Sequence, residues 1–191
     1  DTISYLKSQG KNVFFDAEHF FDGYKEDSAT SLKILEAVIS ADVDCFIFCD
    51  TNGGTLPEEV KTILGDVTKK YPDVKFGVHF QNDNGCAVVN SMVAADLGID
   101  HIQGTINGYG ERTGNADLCT LIPNLSLKQE YETIPRNSLE RLTQTANHIA
   151  ELVNISIDSR HPYVGSSAFT HKAGLHASGM SKDSSLYEHI D

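Results

Sequence analysis

His79 and Gln81 have side chains that could bind a metal ion, and their spacing brings both to one face of an extended segment. Side chains alternate between the two faces of a strand, so residues two apart share a face, about 7 Å apart along it. The other face of segment 74–81 is apolar. An imidazole nitrogen and an amide oxygen can both donate to a cation. We therefore predict a strand that presents two metal ligands; a hydrogen-bonded core histidine is the alternative.

Three further segments also end in polar residues. Asp16 and Glu18 share a face at the end of the first, and the second runs into Thr51 and a glycine pair. The fourth continues into a glycine-rich stretch that contains Arg112 and Asn115. Parallel α/β folds place their chemistry at the carboxyl ends of strands, so we expect these ends to form the rim of an active site. The alternative is that strand ends meet water and glycines make turns.

The elements that would position these residues follow a regular order. Strands are predicted over 13–18, 44–50, 74–81 and 99–105, and helices over 30–41, 57–71 and 86–97. Parallel strands need long crossovers, so this alternation predicts a parallel sheet. A doubly wound sheet and a (β/α)8 barrel both fit. Four units would be half a barrel, and we expect the strands that close it to lie upstream.

Sequence signals also predict where helices begin. Thr55 with Glu58, and Asn137 with Glu140, are spaced as capping boxes, which predict helices from about 57 and about 137.

Beyond a loop over 159–167, the chain is rich in histidine and small residues. That stretch is as consistent with a solvated helix face as with a functional cluster.

Composition excludes several functional classes. The chain has 191 residues, with 15 Lys and Arg against 27 Asp and Glu, a formal charge of −12. Nucleic-acid binders need a basic face. We see no apolar run near the roughly 18 residues of a membrane span and no secretion signal. Four cysteines without zinc spacing fit a reducing compartment. We expect a cytoplasmic protein that binds neither nucleic acid nor membranes.

Two long motifs resemble the signature of one enzyme family. They are G-V-H-F-Q-N-D-N-G-C-A-V-V-N-S over 77–91 and Q-G-T-I-N-G-Y-G-E-R-T-G-N-A-D-L over 103–118. Both are similar to the 2-isopropylmalate, homocitrate and citramalate synthase family, and the citramalate synthase branch is the most similar. Shorter matches extend the resemblance over nearly the whole chain, at 16–24, 49–57, 122–125 and 168–178.

The resemblance implies a fold and a reaction. The fold is α/β: the C-terminal half of a (β/α)8 TIM barrel, strands five to eight, over residues 1–135, then a helix and the start of a helical linker subdomain over residues 136–191. The reaction is a Claisen-type condensation of acetyl-CoA with a 2-keto acid, by an acyltransferase of branched-chain amino-acid biosynthesis. Pyruvate, which gives citramalate, is favoured, and 2-oxoisovalerate, which gives 2-isopropylmalate, is next.

The resemblance also implies a divalent metal site for Mg²⁺, Mn²⁺ or Zn²⁺. His79 matches the family's first metal-binding histidine and Asn115 its metal-binding asparagine. Gln81 replaces the second histidine, and its amide oxygen suits hard Mg²⁺ or Mn²⁺ better than zinc. The family's first-strand aspartate ligand has no counterpart in this sequence, so we expect the chain alone to be inactive.

The resemblance also implies further site residues. Glu18 matches an acidic residue near the reacting methyl group, and His176 a histidine delivered from the partner subunit of a homodimer with a shared active site. Thr51 matches a hydroxyl that binds the keto acid's carboxylate, and Asp16, on the same face as Glu18, is assigned to the keto-acid pocket. For the phosphates of coenzyme A, Arg112 and Lys172 are candidate contacts by their charge. Two alternatives stay open: a metal-dependent aldolase or lyase of the same superfamily, and a non-catalytic relative with a degraded metal site.

Overall fold

The chain forms two compact units. The computed structural model describes residues 1–190, and the units are Asp1–Leu118 and the chain from Cys119 onward. Within the described residues, no helix is both long enough and apolar enough to cross a membrane.

The first unit is built on a four-stranded parallel sheet. Its strands, in chain order and in sheet order, are β1 (Phe14–Ala17), β2 (Cys45–Asp50), β3 (Phe76–Phe80) and β4 (His101–Gln103). All four lie within the segments predicted from the sequence, and the parallel α/β arrangement is confirmed. In the register, His79 of β3 lies between Cys49 of β2 and Gln103 of β4.

Helices precede and connect the strands and pack against one face of the sheet. They are α1 (Thr2–Ser8), α2 (Phe20–Glu26), α3 (Ser28–Ile39), α4 (Pro57–Lys70) and α5 (Ala87–Asp96). Leu35 of α3 and Leu64 of α4 are fully buried there with the strand aromatics, and burying each such side chain stabilises the fold by about 1.5–3 kcal/mol. The opposite face carries a second, smaller buried cluster of Cys45, Ile47 and Cys49. Strand β2 is therefore buried on both faces, as strands of α/β barrels are.

At the start of α4, the predicted capping box of Thr55 and Glu58 is wrong. The backbone N–H of Leu56 donates to the Glu59 carboxylate at 2.7 Å, so the cap lies one residue later. The cause is Pro57, which disfavours helical geometry in the residue before it; Leu56 is extended, with φ −85° and ψ 155°. Thr55 is buried instead, and its hydroxyl donates to Asp50 at 2.9 Å.

The second unit is helical. Its elements are α6 (Leu118–Leu127), a 3₁₀ segment (Arg136–Arg141), α7 (Leu142–Val153), α8 (Gly174–Met180) and a second 3₁₀ segment (Ser184–Leu186). The predicted capping box of Asn137 and Glu140 is wrong, because both residues lie inside the first 3₁₀ segment and α7 begins at Leu142 without a side-chain cap. The boundary between the units falls near the start of α6. The limit of the barrel part at residue 135 stays a prediction.

Candidate active site

Polar side chains from all four strand ends collect at one edge of the sheet, because parallel strands end on the same side. They are Asp16 and Glu18 at β1, Thr51 after β2, His79 and Gln81 at β3, Gln103 at β4, and Arg112 and Asn115 in the loop beyond. The core takes Phe76, Val78 and Phe80 of β3, so the alternation sends His79 and Gln81 to the other face. This agrees with the face predicted for the two side chains.

A chain of hydrogen bonds joins His79 to Asp16 through Gln103. The Nδ1 atom of His79 lies 2.8 Å from Gln103 Oε1, and Gln103 Nε2 donates to Asp16 Oδ1 at 3.1 Å. Gln103 is not among the site residues predicted from the sequence. Its position at the end of β4 was visible, but its pairing with His79 depends on the sheet register, which a single sequence does not reveal.

Glu18 and Thr51 are joined by a short hydrogen bond between neighbouring strand ends. The Thr51 hydroxyl donates to Glu18 Oε2 at 2.5 Å and accepts from the backbone N–H of His19 at 2.7 Å. A hydroxyl has a single proton to donate. The Thr51 proton is therefore committed to Glu18, and Thr51 can bind a carboxylate only by releasing Glu18.

Arg112 contacts protein groups from two other loops. Its Nε and Nη2 atoms each donate to the Asp83 carboxylate at 2.8 Å, and Nη2 also donates to the carbonyl of Thr51 at 2.8 Å. The guanidinium holds the pKa of Asp83 below its ordinary value. Gly53 lets the Asp83 loop approach: it has a φ of +64°, and a Cβ there would lie 2.3 Å from Asp83 Oδ2. Arg112 thus ties three loops together, and its contact with coenzyme A stays a prediction.

Gln81 and Asn115 lie directly opposite each other across a short antiparallel bridge. The backbone N–H of Asn82 donates to Gly114 at 2.9 Å and that of Ala116 to Phe80 at 3.1 Å. In this bonding pattern the facing side chains are on the same side and about 5 Å apart at Cβ. The bridge therefore holds the two amides side by side.

The amide oxygens at this bridge fit a divalent cation. Both Gln81 Oε1 and Asn115 Oδ1 are buried without a hydrogen-bond partner, and such an unpaired oxygen costs about 1–3 kcal/mol. Hard cations take oxygen ligands of this kind. Across residues 1–190, no three His, Cys, Asp or Glu side chains form a metal-binding group. His79, Gln81 and Asn115 are the candidate donors at the strand ends.

Cys49 pairs with His79 in the register and belongs to the small buried cluster on the same face of the sheet. Burial raises the pKa of its thiol to about 12, so the free thiol is protonated at neutral pH.

His176 lies in α8 of the second unit, with an exposed ring. The ring stacks on Tyr187, with a centroid distance of 4.2 Å and an interplanar angle of 26°. Nearby, His171 Nε2 lies 3.7 Å from a Glu188 carboxylate oxygen. The role of His176 in an active site stays a prediction.

A parallel sheet with helices on one face and polar side chains gathered at the carboxyl ends of its strands defines this chain as part of an α/β barrel. Comparisons with known proteins show the family to which the barrel belongs. The chain belongs to the HMGL-like family, whose model matches residues 1–149. A second model, described as homocitrate synthase post-HMGL domain-like, matches residues 163–191.

Individual relatives and a solved structure agree with this family assignment. The chain is 48% identical to an (R)-citramalate synthase of Aquifex aeolicus and 32% identical to a 2-isopropylmalate synthase of Halalkalibacterium halodurans, with all of this chain covered in both. It spans 36% and 37% of the lengths of those relatives, about a third. The crystal structure of a Bacillus subtilis HMG-CoA lyase is 26% identical with a TM-score of 0.58, over 69% of this chain and 45% of that one. The predicted family and barrel fold are confirmed.

Proposed function

We propose that the protein is an acyltransferase that condenses acetyl-CoA with a 2-keto acid, with pyruvate as the keto acid and citramalate as the product. The observation that carries the proposal is the pair of buried, unpaired amide oxygens of Gln81 and Asn115 on the strand-end face that also carries His79. This donor set suits a hard divalent cation. The name of the Aquifex relative supplies the substrate class.

In this proposal His79, Gln81 and Asn115 hold Mg²⁺, Mn²⁺ or Zn²⁺. The cation, when bound, supplies a Lewis acid that polarises the keto carbonyl and stabilises the negative charge developing on its oxygen. The three side chains are neutral donors. They add no negative charge to the cation, which favours binding of an anionic keto acid.

The condensation also needs a base that takes a proton from the methyl group of acetyl-CoA and an acid that gives one to the keto oxygen. Water then hydrolyses the thioester bond of the condensed product, which releases coenzyme A and leaves the free dicarboxylate. We assign Glu18 to the first task. When Thr51 turns its hydroxyl from Glu18 to the carboxylate of the keto acid, Glu18 Oε2 becomes free to accept a proton. Asp16 borders the keto-acid pocket, and the partner subunit's His176 completes the acid–base groups in a homodimer.

The setting of the reaction is part of the same proposal. The product would enter branched-chain amino-acid biosynthesis, in the cytoplasm. The four free cysteines, among them buried Cys45, Cys49 and Cys119, support a reducing compartment.

Release of coenzyme A by the intact protein tests the proposal. Acetyl-CoA is offered with pyruvate, 2-oxoisovalerate and 2-oxoglutarate in turn, and we expect the highest kcat/KM with pyruvate. EDTA should abolish turnover and Mn²⁺ or Mg²⁺ should restore it. His79→Ala should be inactive, whereas His148→Ala, on the exposed side of α7, should match the wild type. Unchanged turnover by His79→Ala would refute the assignment.

Cleavage of a carbon–carbon bond is the second candidate, because an HMG-CoA lyase shares the fold. The G-E-R-T-G-N motif over 110–115 favours condensation by its resemblance. The two reactions separate when the intact protein is given a 3-hydroxyacyl-CoA: cleavage without condensation would favour a lyase. Absence of both metal and CoA binding would instead indicate a non-catalytic relative.

A further inference from the structure

We infer that Gln103 is a positioning residue that holds His79 in the tautomer able to bind a metal ion and links it to Asp16. The inference rests on the metal site of the proposed function. It gives a role in that site to Gln103, which begins the motif over 103–118 but received no role from the resemblance. Two hydrogen bonds carry it: His79 Nδ1 to Gln103 Oε1 at 2.8 Å and Gln103 Nε2 to Asp16 Oδ1 at 3.1 Å.

Asp16 fixes which way the Gln103 amide points. A carboxylate offers only acceptor atoms, so the Gln103 group that faces Asp16 must be the NH₂ donor. The amide is planar, and its oxygen is then directed to His79. The orientation of Gln103 thus follows from the chemistry of its two neighbours.

The orientation of Gln103 in turn fixes the tautomer of His79. A carbonyl oxygen accepts but does not donate, so the ring atom that faces it, Nδ1, must carry the proton. The neutral ring then has its lone pair on Nε2. Histidines that bind metals through one nitrogen characteristically donate the other N–H to a fixed acceptor. Gln103 is such an acceptor.

The sheet register explains why the residue at position 103 serves this purpose. His79 and Gln103 are partners on adjacent parallel strands, about 4.8 Å apart, with side chains on the same face. Asp16 lies on β1, at the far side of the sheet from β4. The bond from Gln103 to Asp16 therefore crosses that face and ties the first strand end to the fourth. In the proposed enzyme it connects the keto-acid pocket to a metal ligand.

A neutron crystal structure of the metal-free intact protein, at a pH where His79 is neutral, tests the tautomer directly. We expect deuterium on His79 Nδ1 in the wild type. In Gln103→Leu, which removes both hydrogen bonds at similar volume, we expect deuterium to appear on Nε2. Deuterium on Nε2 in the wild type, or unchanged in position in Gln103→Leu, would overturn the inference.

The affinity for Mn²⁺, measured by electron paramagnetic resonance of the free ion, tests the consequence. Gln103→Leu should weaken binding about 10–100-fold. Gln103→Glu keeps an acceptor for His79 and should retain more affinity than Gln103→Leu. Gln144→Leu, the same substitution on the exposed side of α7, should leave affinity unchanged. An affinity of Gln103→Leu for Mn²⁺ equal to that of the wild type would count against the positioning role of Gln103. So would equal affinities of Gln103→Glu and Gln103→Leu.

Failure of the proposed function would look different from failure of this inference. If the wild-type protein binds no Mn²⁺ at the strand ends, the proposed metal site is wrong. The neutron map of the metal-free protein still decides the role of Gln103, since the hydrogen-bond chain does not depend on the metal.

Discussion

Gln81 and Asn115 set the chemical character of the strand-end site, because each contributes a neutral amide oxygen instead of an imidazole or a carboxylate. Both oxygens are buried and unpaired, so the folded chain has already met the cost of removing them from water. Coordination by a hard cation such as Mg²⁺ offsets that cost better than coordination by the borderline-soft Zn²⁺, because amide oxygens are hard ligands. In the proposed metal site, the preference among cations would therefore depend on these two residues.

Replacing the Gln81 amide with an imidazole should shift that preference. We expect Gln81→His to improve the affinity for Zn²⁺ relative to Mg²⁺ on the order of tenfold, about 1.4 kcal/mol, because imidazole suits zinc better than an amide oxygen does. Competition titrations of the intact protein measure the ratio, with Gln144→His as the exposed control. A ratio unchanged from the wild type would mean that Gln81 does not touch the metal.

The sequence predicted some of these residues and missed others, for a physical reason. His79 and Gln81 follow from alternation within one strand, which is a local property. The contacts of Gln103 with His79 and of Asp83 with Arg112 join positions 24 and 29 residues apart. Those contacts depend on sheet register and loop path, which local spacing does not determine.

At the scale of elements, the connection from β2 to α4 depends on a buried carboxylate. Asp50 is 1% exposed and accepts from the Thr55 hydroxyl at 2.9 Å and the Thr55 backbone N–H at 3.1 Å. Burial raises the pKa of Asp50, and the Thr55 hydrogen bonds oppose that rise. The loop that carries Thr51 therefore depends on Thr55.

Thr55→Val should destabilise the fold because it removes one of those two hydrogen bonds at nearly constant volume. The expected loss in the free energy of unfolding is about 1–3 kcal/mol, measured by urea denaturation. Thr62→Val is the matched control, since the Thr62 hydroxyl donates to the backbone carbonyl of Glu58 on the exposed side of α4. Equal losses in the two variants would show that burial of Asp50 adds nothing.

The Arg112–Asp83 pair should tie its loops in a pH-dependent way. The pKa of Asp83 is lower in the fold than its ordinary value, so the pair's stabilising effect is present above an unfolded pKa of about 3.9. The effect is lost as the pH falls through the folded pKa. At neutral pH, Arg112→Ala should speed amide hydrogen exchange over 82–86 and 110–114 by about tenfold.

Acid conditions provide the control for that exchange experiment. Once Asp83 is protonated, the wild type and Arg112→Ala should exchange alike over 82–86 after correction for the intrinsic rates. The loop over 110–114 keeps the hydrogen bond from Arg112 to the Thr51 carbonyl and should stay better protected in the wild type. Arg160→Ala, in the second unit, should leave exchange in these loops unchanged at either pH. Equal protection of the wild type and Arg112→Ala at neutral pH would show that the Arg112–Asp83 pair does not hold the two loops together.

The elements themselves were largely predictable, and their ends were not. Runs of β-branched and aromatic residues located all four strands, and hydrophobic periodicity located the helices α3, α4 and α5, because burial of apolar side chains dominates the energetics of both kinds of element. The two capping boxes failed because a proline outweighed the cap at Leu56 and a 3₁₀ segment replaced the first turns before Leu142.

At the scale of the whole molecule, the proposed function requires a shared site. If the partner's His176 and this subunit's Glu18 act together, mixing His176→Ala with Glu18→Gln protein should rebuild one intact site in each mixed dimer. Random exchange then restores about a quarter of wild-type activity. The measurement is coenzyme A release after subunit exchange, with each variant alone as control. Activity no higher than that of the separate variants would exclude sharing.

We expect His79, Gln81 and Asn115 to hold one cation at the strand ends. An anomalous difference map from Mn²⁺-loaded crystals of the intact protein shows whether they do. One peak should lie about 2.1–2.3 Å from His79 Nε2 and from the two amide oxygens. A peak bound elsewhere, or no peak at these three side chains, would contradict it.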